Sequence, residues 1–205
     1  MQMLRRATII GMLLIAISAG ATVSAGDSAL LVVTDTTKRM LTVLKDEKSV
    51  IRENPDRIYK LVNQIILPHF DFSRMSRWVL GKYWRSASDP QRERFIQEFR
   101  TLLVRTYATA LLEYSDQEVE FQPVRADPDA TDVTVRTAVK QPGGFPIPIN
   151  YSMYLSDGTW KVYDVTIDGV SLVASYRSAF SSQIQRGGLD HLIGLLAERN
   201  GQVNP

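Results

Sequence analysis

Residues 151–167 read YSMYLSDGTWKVYDVTI. Tyr151, Met153 and Leu155 alternate with Ser152 and Tyr154, a period of two that belongs to a strand with one buried face. Asp157-Gly158 is the dipeptide of a tight hairpin, because both central positions of such a turn need a positive φ. Thr159 to Ile167 then reads as the returning strand. Upstream, Val133, Val135, Thr137 and Val139 alternate with Thr134, Arg136 and Ala138, and Glu118 to Val124 forms a shorter first strand. Short connections therefore predict four antiparallel strands in a meander. Two loops punctuate it. Asp127-Pro128-Asp129 lacks the glycine and following acids of a calcium loop and reads as a solvated turn. Gln141-Pro142-Gly143-Gly144-Phe145-Pro146 is either a lip beside a pocket or a long hairpin loop.

On both sides of the strands the period changes to that of a helix. Leu30, Val33, Thr37, Met40, Leu41 and Leu44 share one face. Asn54-Pro55 opens a second helix with the stripe Ile58, Leu61, Val62, Ile65 and Ile66, which Pro68 ends. A third, short helix follows Asp71, carries Phe72, Met75, Trp78 and Val79, and stops at Gly81. Ser88-Asp89-Pro90-Gln91 is a capping-box pattern opening a long helix. The inner face of that helix runs from Phe95 and Phe99 through Leu102, Leu103 and Tyr107 to Ala110, Leu111 and Tyr114. Beyond the strands, Leu172, Val173, Tyr176, Phe180 and Ile184 make one stripe. Gly187-Gly188 breaks it before Leu189, Leu192, Ile193, Leu195 and Leu196. The fold class is α+β, an antiparallel sheet wrapped by helices.

The first 25 residues read as a signal peptide. Arg5 and Arg6 precede the uncharged run Ala7 to Ala19, and Val23-Ser24-Ala25 offers small residues at a cleavage point. The run is shorter than the roughly 20 apolar residues of a membrane span. Residues 26–205 are then expected as one domain of about 180 residues. The precursor carries 24 basic and 22 acidic residues. Losing two arginines with the signal balances the charges, so no basic surface calls for nucleic acid. The chain has no cysteine, which excludes disulfides, a thiolate nucleophile, thiolate metal sites and a lipidated cysteine anchor. An exported, freely diffusing monomer in the periplasm is expected.

Catalytic constellations are sparse. His69 and His191 are the only histidines, and neither sits at metal-ligand spacing. No nucleophile elbow, P-loop or dinucleotide glycine motif occurs. Asp164 and Asp168 are spaced to share a strand face. They read either as an acid–base pair, with Tyr163 in a small polar pocket, or as one brace for a cation and one cap for the helix near Val170. The abundant feature is large apolar and aromatic surface from several helices, which periodicity assigns equally to a filled core or to a hollow one.

The string Trp160-Lys161-Val162-Tyr163-Asp164-Val165-Thr166-Ile167-Asp168-Gly169-Val170-Ser171-Leu172-Val173, followed by Tyr176-Arg177 and Phe180, closely resembles the C-terminal half of the MlaC family, also called toluene-tolerance proteins. Pro68-His69-Phe70-Asp71-Phe72, Met75, Val79-Leu80-Gly81, Trp84-Arg85, Gln91, Phe95 and Phe99 follow the same family's pattern in order, so the resemblance spans nearly all of the chain after the signal. It implies four antiparallel strands wrapped by helices around an apolar cavity, loosely a nuclear-transport-factor-like cone. It also implies a periplasmic phospholipid carrier that maintains outer-membrane lipid asymmetry, not an enzyme and without a cofactor. The implied partners are phospholipid, an outer-membrane lipoprotein associated with a porin, and an inner-membrane ABC transporter bearing a ring of lipid-binding domains.

Elementary energetics suit that role. A two-tailed lipid with about 30 methylenes, at roughly 0.8 kcal/mol each, resists entry into water by about 25 kcal/mol. Transfer from bilayer to an oily cavity costs far less. Period and position nominate as lining residues Phe72, Met75, Val79, Phe99, Leu103 and Tyr107 from the helices before the sheet. Tyr151, Met153, Tyr163, Val165 and Ile167 are nominated from the strands, and Val173, Tyr176 and Phe180 from the last helix. An interaction protein with a filled core is the alternative to a carrier.

Overall fold

The sheet is a meander of five strands whose spatial order follows the chain, in a computed structural model that describes residues 24–113, 118–141 and 143–202. Its strands are β1 (Val119–Phe121), β2 (Asp132–Val139), β3 (Ile147–Ser156), β4 (Thr159–Ile167) and β5 (Val170–Ser171), each antiparallel to the next. The expected count of four is corrected by β5. Asp168 (φ 49°) and Gly169 (φ 80°) turn the chain so sharply that Val170 and Ser171 pair back onto Ile167 and Thr166. β1 is shorter than the stretch Glu118 to Val124, because Pro123 has no N–H to continue the ladder. The free edge of β4 is covered at Val162 by a single parallel bridge from Phe70.

The β3–β4 register slips between Ser152 and Met153, leaving Tyr163 without an opposite residue. Such a bulge changes which side chains face inward. Val162, Val165 and Ile167 thereby lie across from Met153, Tyr151 and Ile149 respectively, whereas strict alternation along β4 would have turned Asp164 inward.

Helices follow the local signals closely. α1 (Ala25–Asp46) is capped by the Ser24 hydroxyl, which accepts from Asp27 N–H. The expected second helix is broken into pieces: α2 (Lys48–Glu53), α3 (Arg57–Leu61), a π-helical turn at Val62–Ile66 and a 3₁₀ turn at Leu67–His69. Asn54 ends α2, and with Pro55 it opens the turn into α3, the two carbonyls accepting from Arg57 and Ile58 N–H at 3.1 Å. α4 (Phe72–Leu80) starts from Asp71, whose carboxylate accepts from Arg74 N–H, and α5 (Lys82–Ser86) follows at once. α6 (Asp89–Ala108) begins with the full capping box of Ser88 and Gln91. α7 (Leu172–Gln202) is interrupted at Gly188, whose φ of 84° lies outside helical space. The residues 1–23 of the expected signal segment lie outside the described residues, as do Tyr114 and Pro142.

Three apolar clusters result. α4, α6 and α7 pack a helical core around Phe95, Phe99, Phe180 and Leu192. α1 packs Ala29 and Val33 onto the inner sheet face, against Val135, Met153 and Val162. The far end of α1 meets α2, α3 and the π turn around Met40, Ile58, Leu61 and Ile65. Gly81 joins α4 to α5 at φ 54°, ψ −118°, and a Cβ there would lie 3.1 Å from the Arg177 guanidinium. Gly81→Ala is therefore expected to lower stability by about 1–3 kcal/mol, read from urea unfolding midpoints.

Candidate functional site

Between the second and third clusters the interior is not filled. A cavity of about 610 Å³ opens there, within the several-hundred-Å³ range of small-molecule sites. α1 builds one wall from Val32, Val33, Thr36, Thr37, Met40 and Leu41. Ile66, His69 and Phe70 close one side, and Tyr107, Ala110 and Leu111 another. The sheet supplies Val119, Thr137, Val139, Ile147, Ile149, Tyr151, Met153, Val162 and Ile167, with Gln141 at the end of β2. No Asp, Glu, Lys or Arg is among these lining residues.

Three polar side chains in the wall, Thr137, Tyr151 and Tyr107, have hydrogen-bonding partners. Thr137 Oγ1 donates to the Ile149 carbonyl at 2.9 Å. Burial pushes the Tyr151 phenol up from its ordinary value, with a hydrogen bond to Thr137 acting in the opposite direction. Burial, together with the neighbouring Tyr176 hydroxyl, pushes the Tyr107 phenol up to about 12. Both phenols are neutral at physiological pH, so the cavity carries no phenolate charge.

His69 is the histidine in the cavity wall. Burial holds its imidazole below the ordinary value, and the charges of Lys161 and Arg39 act in the same direction. A histidine with a lower pKa folded than unfolded binds fewer protons when folded. Its penalty is absent above the unfolded value of about 6.5, grows as pH falls from there toward the folded value, and levels off below it. Urea midpoints should therefore decline on acidification below about pH 6.5, and His69→Gln should flatten that part of the profile.

The structure separates the residues nominated from sequence. Tyr107, Tyr151, Met153 and Ile167 line the cavity. Val165 is buried in the sheet cluster beside it but outside the wall. Met75, Val79, Phe99, Leu103, Val173 and Phe180 instead fill the helical core, with Phe72 and Tyr176 packed on its border. Tyr163 lies on the opposite sheet face. Its hydroxyl donates to Asp132 at 3.0 Å, its ring contacts Trp78, and the Arg74 guanidinium lies 4.9 Å from the ring centre. Trp78, expected in the buried stripe of its helix, is half exposed there.

The physical reason is that periodicity marks which face of a helix is covered, not whether the space opposite is full. α6 shows both outcomes along one stripe. Phe95 and Phe99 stack at 5.7 Å and meet Phe180 edge-on, whereas Tyr107, about two turns beyond Phe99, faces the void. The α1 wall was missed as a site, although Thr36 and Thr37, small polar residues within an apolar stripe, mark a helix face that is not packed tight.

Asp164 resolves toward capping. Its carboxylate accepts from Val165 N–H (2.8 Å), Ser171 hydroxyl (2.6 Å) and Val173 N–H (3.1 Å), which ties the end of β4 to the start of α7. Asp168 sits exposed in the β4–β5 turn. The two carboxylates do not converge on the cavity.

Comparison with known proteins agrees with this geometry. A family model described as MlaC protein matches residues 34–198. The toluene tolerance protein ttg2D of Pseudomonas putida is 33% identical over 160 residues, covering 78% of this chain and 74% of that protein. The intermembrane phospholipid transport system binding protein MlaC of Haemophilus influenzae is 27% identical over 167 residues, covering 80% of this chain and 78% of the relative. A phospholipid-binding protein from Ralstonia solanacearum, solved in complex with a phospholipid, superposes with a TM-score of 0.79 at 35% identity, covering 85% of this chain and 98% of that one.

Proposed function

The chain belongs to the MlaC family, and from that premise we propose that it is a phospholipid carrier whose acyl tails occupy the cavity between α1 and the sheet. One observation carries the reading: a void of about 610 Å³ walled mainly by aliphatic and aromatic side chains, with no Asp, Glu, Lys or Arg in its lining. Hydrocarbon loses little on moving from a bilayer into such a space and a great deal on moving into water. A carrier needs this hollow and a wettable exterior, and it needs no group that makes or breaks bonds.

The finer parts of the proposal follow the family. Residues 1–25 direct export, and the mature protein works in the periplasm. It exchanges lipid with an outer-membrane lipoprotein–porin complex and with an inner-membrane ABC transporter that carries a lipid-binding ring, so sustaining lipid asymmetry. The curved sheet with helices around its hollow is a loose relative of the nuclear-transport-factor cone. Head groups stay near solvent at the mouth of the cavity.

The test is extraction of the protein, purified from the periplasm of a Gram-negative host, with organic solvent and mass spectrometry of the extract. Phospholipid in a fixed ratio to protein is expected. Protein that emerges free of phospholipid would remove the proposal.

A further inference from the structure

A second depression, of about 420 Å³, lies where the end of α1 meets α2 and the 3₁₀ turn Thr109–Glu113. Its floor is apolar, formed by Leu44, Ile51 and Leu111, and its rim carries Lys45, Lys48 and Arg52. No acidic residue is among its described lining. Glu47, which lies between Lys45 and Lys48 in the chain, is already engaged by Arg57 through two hydrogen bonds of 2.6 and 2.9 Å. Among the described residues none of the three rim cations makes a hydrogen bond or ion pair.

This depression adjoins the cavity. Leu111 lines both. α1 gives Met40 and Leu41 to the cavity and Leu44 and Lys45 to the depression, a step of one helical turn, about 5 Å along the axis. The cavity lining itself has no Lys or Arg; Lys161 and Arg39 lie near His69 in its wall, Lys161 with its ammonium on the Pro68 carbonyl, and the Lys45–Lys48–Arg52 rim is the cluster of three cations that adjoins it.

We propose that the Lys45–Lys48–Arg52 depression receives the phosphodiester of the lipid whose tails fill the neighbouring cavity. This rests on the acyl-tail reading above. A phosphate ester suits the rim, since a guanidinium can grip two phosphate oxygens and two ammonium groups add point charge. The leucine floor suits the methylenes next to the head group. Free inorganic phosphate shares the anionic chemistry but has nothing to place on that floor.

The experiment compares phosphatidylglycerol with diacylglycerol of the same acyl chains, each with a fluorescent reporter at a tail end. Binding is measured to delipidated wild-type protein and to the combined variant Lys45→Gln, Lys48→Gln, Arg52→Gln, whose altered side chains are all exposed. The variant should hold diacylglycerol as wild type does, bind phosphatidylglycerol about tenfold more weakly, and lose the salt dependence of that binding. Unchanged phosphatidylglycerol affinity would overturn the assignment. So would inorganic phosphate binding to wild type as tightly as the lipid does, which would make this a free-anion site. A variant that loses only its attachment to anionic vesicles would make the rim a membrane contact and overturn it too. If wild type takes up neither lipid, the acyl-tail reading itself fails, an outcome distinct from the others.

Discussion

Placing a carboxylate in the cavity wall should abolish phospholipid binding while leaving the fold standing. Ile149→Glu is the variant of choice. Ile149 lies on the central strand β3, between Thr137 of β2 and Ile167 of β4, and is only partly buried because it faces the void. In the empty protein water in the cavity can solvate the new charge. When acyl tails enter, that water leaves and the carboxylate is stranded among methylenes without a partner. An uncompensated buried charge costs several kcal/mol, so affinity should fall by about 100-fold or more. Ile149→Met, with similar volume and no charge, should bind nearly as wild type does. Fluorescent-lipid titration beside a thermal melt reads both quantities. Loss of binding in both variants alike, or in neither, would place the tails elsewhere.

The opposite pattern is expected for Phe99→Ala. Phe99 is fully buried, stacks on Phe95 at 5.7 Å, and meets Tyr176 and Phe180 edge-on at 5.3 and 6.0 Å. Removing its ring leaves a hole that close-packed neighbours cannot fill, at a cost of about 3–5 kcal/mol. Urea unfolding should register nearly all of this. The lipid affinity of the folded fraction should change little, because Phe99 faces α7 and not the cavity. The two variants together separate side chains that hold the fold from side chains that hold the ligand, a distinction that helical period alone does not make.

Features written in a few adjacent residues were legible in the sequence. The capping box at Ser88 and Gln91, the Asp71 cap, the Asp157-Gly158 turn and the break at Gly188 all occur where local chemistry puts them. Each depends on a hydrogen bond or a φ angle within four residues. Features set by distant partners were not legible. The bulge that brings Val162 inward with Val165 and Ile167, and leaves Tyr163 off the inner face, depends on how β3 and β4 slide past one another. β5 exists because Asp164 gathers Ser171 and Val173 against the end of β4. The π turn at Val62–Ile66 replaces a regular helix where Ile66, and just beyond it His69 and Phe70, line the cavity.

The cavity was the least legible part. Tyr107, Tyr151, Met153 and Ile167 were found because they lie on inward faces, and Phe99 and Phe180 were nominated on the same grounds. What distinguishes them is the element opposite. α6 packs on α7 around Phe95 and Phe99, whereas Tyr107 near its end and Ala110 and Leu111 in the following 3₁₀ turn meet open space. A resemblance to lipid carriers says that a hollow is expected, but only the placement of α1 over the sheet says where.

Tail position can be measured directly by photo-crosslinking with a phospholipid that carries a diazirine near the end of one acyl chain. After irradiation of the loaded protein, digestion and mass spectrometry locate the adducts. Adducts on peptides containing Leu41, Tyr107 and the segment from Ile149 to Met153 are expected, all of which line the cavity. Adducts confined to exposed surface, or found on Phe99 and Phe180 in the helical core, would contradict it.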